Sequence, residues 1–410
     1  MVQASQSTES FLYKALGQRS VQTILVLSIY LLTASFLPTT AHQMFYTTSL
    51  FIKDILILVM PLTVAFFIAY TVSSFENKAP ILILSLICFE VVSNLSSVWY
   101  TFSFASISLD SMPMLQGADL KTNFAALWRL PFQKPAWWAA DKGCIVGLVF
   151  GCIAALHKNE FLSSTLYKGK KVMEFILTRI FARLIPLFIL GFAAHLHQTQ
   201  LLQQIFAEYS VLLVWLLAAL CLYITFLFGL AAGFDPKKML SYFKNLLPAG
   251  GIALTSGCSL STMPWTIQGA SKNMKNPKLA EAIIPATTNI QQIGDCIANT
   301  FLCFVIYKHF NGHAPDVGVW MTFSVAFVIA RFATAAVLGG AIFIMLPIYE
   351  TYLNFSPEMI AIILAFNVML DPIITSTNVI ANGALCSVFE RFWMWVESFK
   401  FQKRGSVKAV

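Results

Sequence analysis

The chain has 410 residues, 58% of them hydrophobic and 11% charged, with a formal net charge of +8. A water-soluble domain carries roughly a quarter charged residues, so this composition excludes a soluble enzyme and makes lipid the main solvent. Ordinary counts of glycine (20) and proline (16), with eight cysteines dispersed through apolar runs and no CxxC pair, exclude collagen-like, disordered and disulfide-scaffold chains as well.

The N-terminal segment, residues 1–20, is polar. Residues 22–37 are apolar and are followed by PTTAHQ, an arrangement shared with secretory leaders; the alternation of the later segments favours a first membrane span instead. Further spans are predicted at about 50–74, 80–109, 143–157, 172–195 and 208–234. Each has about the 20 residues that a ~30 Å hydrocarbon core requires, except 143–157, which is short and follows the Trp- and Pro-rich stretch WRLPFQKPAWWAADKG.

Beyond residue 234 the pattern changes. Residues 236–275 hold two short apolar arms around the tip TSGCSLST, too interrupted for one span, and predict a re-entrant hairpin. A full-length span is expected at about 279–308. Residues 316–352 repeat the hairpin design around the small-residue run Ala333 to Ala341, and a last span at about 357–390 leads into a basic tail. The fold class predicted is an all-α polytopic membrane protein of eight transmembrane helices and two re-entrant helical hairpins. Hairpin–span repeated as hairpin–span is a weak internal repeat.

The cations lie between the apolar segments and form no nucleic-acid stripe. The loops around 38–47, 196–207 and 349–357 contain no Lys or Arg. The positive-inside bias therefore puts both termini in the cytoplasm, although the opposite connection 110–142 carries Lys121, Arg129, Lys134 and Lys142. The expected location is the cell's inner (cytoplasmic) membrane, with several passes through it.

Non-helical backbone at membrane depth is tolerated only where protein or a watery cavity satisfies it, so two hairpin tips are expected to meet at a polar cavity. In the last span Asn367, Asp371, Thr375, Asn378 and Asn382 recur at intervals of four, four, three and four and share one helix face. A carboxylate at the bilayer centre costs at least ~2.5–3.5 kcal/mol, which directs Asp371 into the cavity to hold a cation, an ammonium group or a proton. Structural pairing with a basic side chain from another helix is the alternative. Pro372 favours a kink there.

In the preceding span Thr287, Asn289, Gln291, Gln292, Gly294 and Asp295 crowd into nine residues. Their amides, and carbonyls exposed at a glycine break, suit Na⁺ or a similar ion; inter-helical hydrogen bonding is the other use of such side chains. Glu90, beside Ser93 and Asn94, is either a proton carrier or the partner of a lysine. The first tip offers hydroxyls and free N–H groups of the kind that hold a carboxylate. No catalytic constellation is present: Ser259 has no His/Asp pair nearby, and His195 with His197 forms an HxH that suits an interfacial position better than zinc.

Over about 50–390 the succession TSGCSLSTMP, PATTNIQQIGD, ATAAVLGGA and LDPIITSTNVIANG resembles the dicarboxylate/amino acid:cation symporter family, the glutamate-transporter fold. The resemblance implies a homotrimer and elevator-type transport. The scaffold and trimerisation domain would comprise 21–75 and 140–200, with spans 1, 2, 4 and 5. The transport domain would comprise 79–110 and 208–398, and 399–410 would be a cytoplasmic tail.

By the same resemblance Asp371 holds a substrate amino group, Asn378 its α-carboxylate, and Thr375 lines the pocket, while Ser259, Val337 and Gly339 supply backbone contacts from the hairpin tips. Ile374 and Gly257 stand where acidic-substrate members carry an arginine. An acidic substrate would leave a carboxylate unpaired in a low-dielectric pocket, so a neutral amino acid is the expected cargo, with Arg331 the alternative source of the charge, from another direction. Cation ligands would come from Gln291, Asn378, Asn382, Thr287, Asn289, Asp295 and Thr334. Two acidic ligands of the family pattern are replaced, by Ile293 and Asn382, which points to fewer Na⁺, to substitution by Asp295 and Glu90, or to exchange. The expectation is a secondary active transporter and not an enzyme, with Na⁺ or H⁺ as coupling ion, no organic cofactor, no transition metal and no nucleic-acid partner. The alternative cargo is an acidic amino acid or C4-dicarboxylate; the alternative class is an ion channel.

Overall fold

The computed structural model describes residues 19–73, 80–109, 124–131, 135, 137–138, 140–157, 160–198, 201–257, 259–288, 290–334 and 341–407. Every long element among them is helical.

One group of helices is built on a long second helix. Helix α1 (Arg19–Thr33) packs on α6 (Ala182–Gln198), and α2 (Thr39–Ser73) packs along α4 (Ala140–His157), α5 (Glu160–Phe175) and α6. Small residues let the backbones meet. Gly143 and Gly147 lie one turn apart on α4, where a Cβ would meet the Pro61 carbonyl and come within 2.7 Å of the Ala65 carbonyl oxygen on α2. On α6 a Cβ at Gly191 would meet Ser49 Oγ and the Phe45 carbonyl, and the Ser49 hydroxyl donates to the Phe188 carbonyl at 2.6 Å. In lipid, where apolar side chains gain little by leaving their surroundings, such close approach is a principal source of helix association.

The segment expected to span from 172 departs from that reading. Helix begins at Glu160, passes through a π-helical turn at Ile176–Phe181 and continues as α6, with the pieces Glu160–Phe181 and Pro186–His195 inclined by 52°. Pro186 has no N–H to continue the ladder, and a π turn inserts an extra residue, so both causes of a bend are present. The lysine-rich stretch before residue 172 folds because Leu162 and Leu166, one turn apart, pack against Phe66, Ala69 and Ala154.

The second group contains α3 (Pro80–Ser108), α7 (Leu201–Ala232), α8 (Pro236–Ser256), α9 (Ser259–Asn273), α10 (Pro277–Thr287), α11 (Ile293–Asn311), α12 (Val317–Thr334), α13 (Ala341–Leu353) and α14 (Pro357–Val407). Helices α8 and α9 pack together as a hairpin turned at Gly257, and α12 packs on α13 around residues 335–340, which lie outside the described set. Both expected hairpins thus have two helical arms. The continuous span expected at 279–308 is instead two helices, α10 and α11, separated by residues 288–292. Pro285 weakens the first piece by removing a donor, and Gly294, at the start of the second, packs closely against α14.

Helix α14 runs unbroken through Pro372. By length and composition, two helices among the described residues, Val211–Ala232 and Met369–Trp395, can cross a membrane, or four when each bent pair counts as one span. The all-helical class holds; helix length and composition among the described residues do not by themselves give a count of eight spans. Exposed apolar side chains such as Val211, Val214, Leu222 and Phe226 line the outer face of α7, as lipid contact requires.

Candidate functional site

The site is built where α14 faces the break between α10 and α11 and the hairpin α8–α9. The hairpin turns because Gly257 adopts φ 59°, ψ 25°, a left-handed conformation that ends α8. A Cβ on Gly257 would lie 3.7 Å from Asp371 Oδ2, so the turn brings backbone to the α14 carboxylate. Asp371 makes no ion pair among the described residues. The alternative of a structural pairing therefore has no partner there.

The predicted polar face of α14 is real and points at α10 and α11. Asn367 Nδ2 donates to Asn299 Oδ1 at 2.7 Å, Asn378 Nδ2 donates to Asp295 Oδ2 at 2.7 Å, and Thr287 Oγ1 donates to Asn382 Oδ1 at 2.8 Å. Thr375 and Ile374 are buried between them. Gly294 makes this close fit possible: a Cβ there would come within 2.5 Å of the Ile374 carbonyl oxygen and 3.0 Å of Asn378 Oδ1. Ser259, the first residue of α9, lines a narrow crevice with Thr266, Thr288, Asn378, Val379 and Asn382.

The break itself is held from α3. Asn94 Nδ2 donates to the Ile290 carbonyl at 3.0 Å, and Asn94 Oδ1 accepts from the Gln292 N–H at 3.4 Å, so one amide replaces two backbone partners lost at the interruption. Glu90, Asn94, Ser97 and Thr101 form a buried stripe on that helix. Neither Glu90 Oε2 nor either amide atom of Gln291 has a hydrogen-bond partner among the described residues, and Gln291 is fully buried. An orphaned amide oxygen beside an unwound stretch fits a neutral cation ligand, and no lysine pairs with Glu90 among the described residues.

Asp295 has other company. Arg331 on α12, fully buried, places Nη1 3.1 Å from Asp295 Oδ1 and donates to Gln292 Oε1 at 2.9 Å, while Asn299 Nδ2 donates to Asp295 Oδ1 at 3.2 Å. The guanidinium also stacks 4.9 Å from the Phe327 ring centroid.

Of the predicted site residues, the structure brings together Asp295, Asn378, Asn382 and Thr287, sets Ser259 on the same crevice and places Asp371 at the hairpin turn. Val337, Gly339, Asn289 and the side chain of Thr334 lie outside the described residues. Sequence reasoning missed Thr266 and Thr288 in the crevice, Asn299 beside Asp295, and the bracing role of Asn94. The repetition of Thr262 and Thr266 along one face of α9 was the available signal for the first. His195 and His197 belong elsewhere: His195 stacks on Tyr46 and reaches Glu358 Oε1 at 3.0 Å, and His197 stacks on His42.

A helical, apolar chain with paired hairpins and an interrupted helix around buried amides and carboxylates has the build of an integral membrane transport protein. The model of the sodium:dicarboxylate symporter family matches residues 142–392, more than half of the chain, and the chain belongs to that family. It is accordingly a transporter of the symporter type, whose cargo is a small molecule, and not an enzyme. No curated protein matches the chain significantly.

Proposed function

We infer that the chain is a secondary active transporter that moves a small neutral amino acid across the cytoplasmic membrane together with a cation, by an elevator-type movement. The observation that carries this reading is Asp371: a carboxylate without a basic partner among the described residues, set against the backbone turn of Gly257 and beside the Asn378 amide's helix face. That arrangement suits an ammonium group on one side and hydroxyl or N–H donors for a carboxylate on the other. Substrate contacts are assigned to Asp371, Thr375, Asn378, Ile374, Ser259 and the second hairpin's Val337 and Gly339.

Cargo with a second carboxylate, an acidic amino acid or C4-dicarboxylate, needs a guanidinium able to grip it. Arg331 is the buried arginine nearest this network, and Asp295 and Gln292 already hold it. Neutral cargo fits better. The family points to a coupling ion, Na⁺ before H⁺, and the ligands that best suit it are Gln291, with its unpartnered amide, and the Thr287–Asn382 pair.

The packing into two helix groups supports a fixed domain containing α1, α2 and α4–α6 and a mobile domain containing α3 and α7–α14, assembled as a homotrimer with both termini cytoplasmic. Purified protein in liposomes, offered neutral and acidic amino acids and dicarboxylates under imposed Na⁺ or pH gradients, tests the proposal. Saturable uptake and countertransport of a neutral amino acid are expected. Uptake of dicarboxylates alone would move the assignment to the second cargo class, and non-saturable ion flux without countertransport would replace the carrier with a channel.

A further inference from the structure

We propose that Arg331 is a tethered cation that neutralises the Asp295 carboxylate permanently, so that this acidic position neither binds nor carries a coupling ion. Asp295, in the first turn of α11, has the look of an ion ligand: Gln292 Oε1 and Asp295 Oδ1 converge, 2.9 and 3.1 Å from one point. That point is Arg331 Nη1. Asn378 and Asn299 donate to the same carboxylate, at 2.7 and 3.2 Å.

Three properties make the guanidinium a substitute for an ion and more than a fastening. It is fully buried, so solvent does not share its charge. An arginine does not lose its proton in a protein, so a positive charge always faces the carboxylate. And it joins the site's moving parts: Arg331 is three residues before the end of α12, at the second hairpin's tip, while Asp295 is in the first turn of α11 and Asn378 is on α14. A buried ion pair used only for cohesion is no better than a well-packed apolar pair, which leaves charge balance at the site as the gain. Its consequence for coupling rests on the transporter reading: any driving ion must bind elsewhere, and Asp295 contributes no cation dependence.

The test uses thermal unfolding of purified full-length protein, with Na⁺ replaced by choline at constant ionic strength, and needs no substrate. R331Q exposes the Asp295 charge and is expected to gain a Na⁺-dependent rise in Tm beyond any wild-type response, whereas D295N/R331Q responds as wild type does. The reverse variant, D295N, frees the guanidinium and is expected to gain stabilisation by chloride over gluconate. An R331Q response no larger than that of wild type, or a double variant as Na⁺-sensitive as R331Q, would overturn the proposal. If R331Q does not accumulate, D295N decides: a gained anion response supports the tethered cation, and none sinks it. A failed uptake assay would count against the carrier reading and leave these outcomes untouched.

Discussion

Gly257 and Asp371 meet across the boundary between the first hairpin and the last long helix: a methyl group on Gly257 would stand 3.7 Å from Asp371 Oδ2. The separation is an ordinary van der Waals distance, so the cost of Gly257→Ala is mainly the left-handed backbone, about 1–2 kcal/mol. Asn tolerates that conformation better. Thermal unfolding is expected to rank the variants Gly257, then Asn, then Ala, and Gly257→Val, whose branches reach the carboxylate, should weaken binding of the proposed amino-acid cargo further than the stability loss explains.

Asp371→Asn removes the charge and keeps the shape. If the cargo is the proposed amino acid, its affinity is expected to fall by about 2–5 kcal/mol, the usual cost of truncating one member of a desolvated charge pair. Binding calorimetry checks this, with the unfolding temperature near that of wild type. Undiminished binding by Asp371→Asn would remove the carboxylate from the site.

The Thr287–Asn382 bond lies between buried side chains, and Thr287 also reaches the Ile283 carbonyl at 2.9 Å. Thr287→Val should therefore cost about 1 kcal/mol, while Asn382→Leu costs about 1–3 kcal/mol because more polar capacity is lost. If the pair holds a cation, both variants shift the Na⁺ concentration needed for half-maximal uptake in the same direction. A double-mutant cycle on that midpoint measures the coupling.

Helix α4 depends on the absence of side chains. Gly143→Leu and Gly147→Leu would each drive a side chain into the backbone of α2, at Pro61 and Ala65. Destabilisation of about 1–3 kcal/mol per site is the minimum for such overpacking, and loss of folded protein in size-exclusion chromatography is the expected result for the pair.

Lys53 on α2 pairs with Glu350 on α13, with side-chain exposures of 10% and 26%. It crosses between the two helix groups. Lys53→Met should cost about 1–3 kcal/mol by leaving Glu350 half-buried and unpaired, and Lys53→Met with Glu350→Gln should restore most of it. If the second group moves against the first, the double variant also exchanges substrate faster than wild type, which countertransport in liposomes measures.

The parts of this architecture with a local cause were legible in the sequence. Hairpin arms followed from short apolar runs around small residues, and the α14 face followed from polar residues at helical spacing, because both depend on neighbours along the chain. The α5 helix was not, since its lysines read as loop while the Leu162 and Leu166 contacts that fold it come from α2 and α4. Arg331 and Asp295 each stood out as charges in apolar helices, but nothing in the chain order says that a hairpin arm reaches the broken helix. The interruption at 288–292 was foreshadowed by Gly294 yet placed within a continuous span, because the amide that satisfies the freed backbone there, Asn94, comes from α3.

Asn94 turns two helices into one mechanical part. Its amide splints the gap at Ile290 and Gln292 from the side, so a shift of α3 against the interrupted helix would break both hydrogen bonds. If the proposed carrier movement takes place, α3 is a passenger on the same carriage.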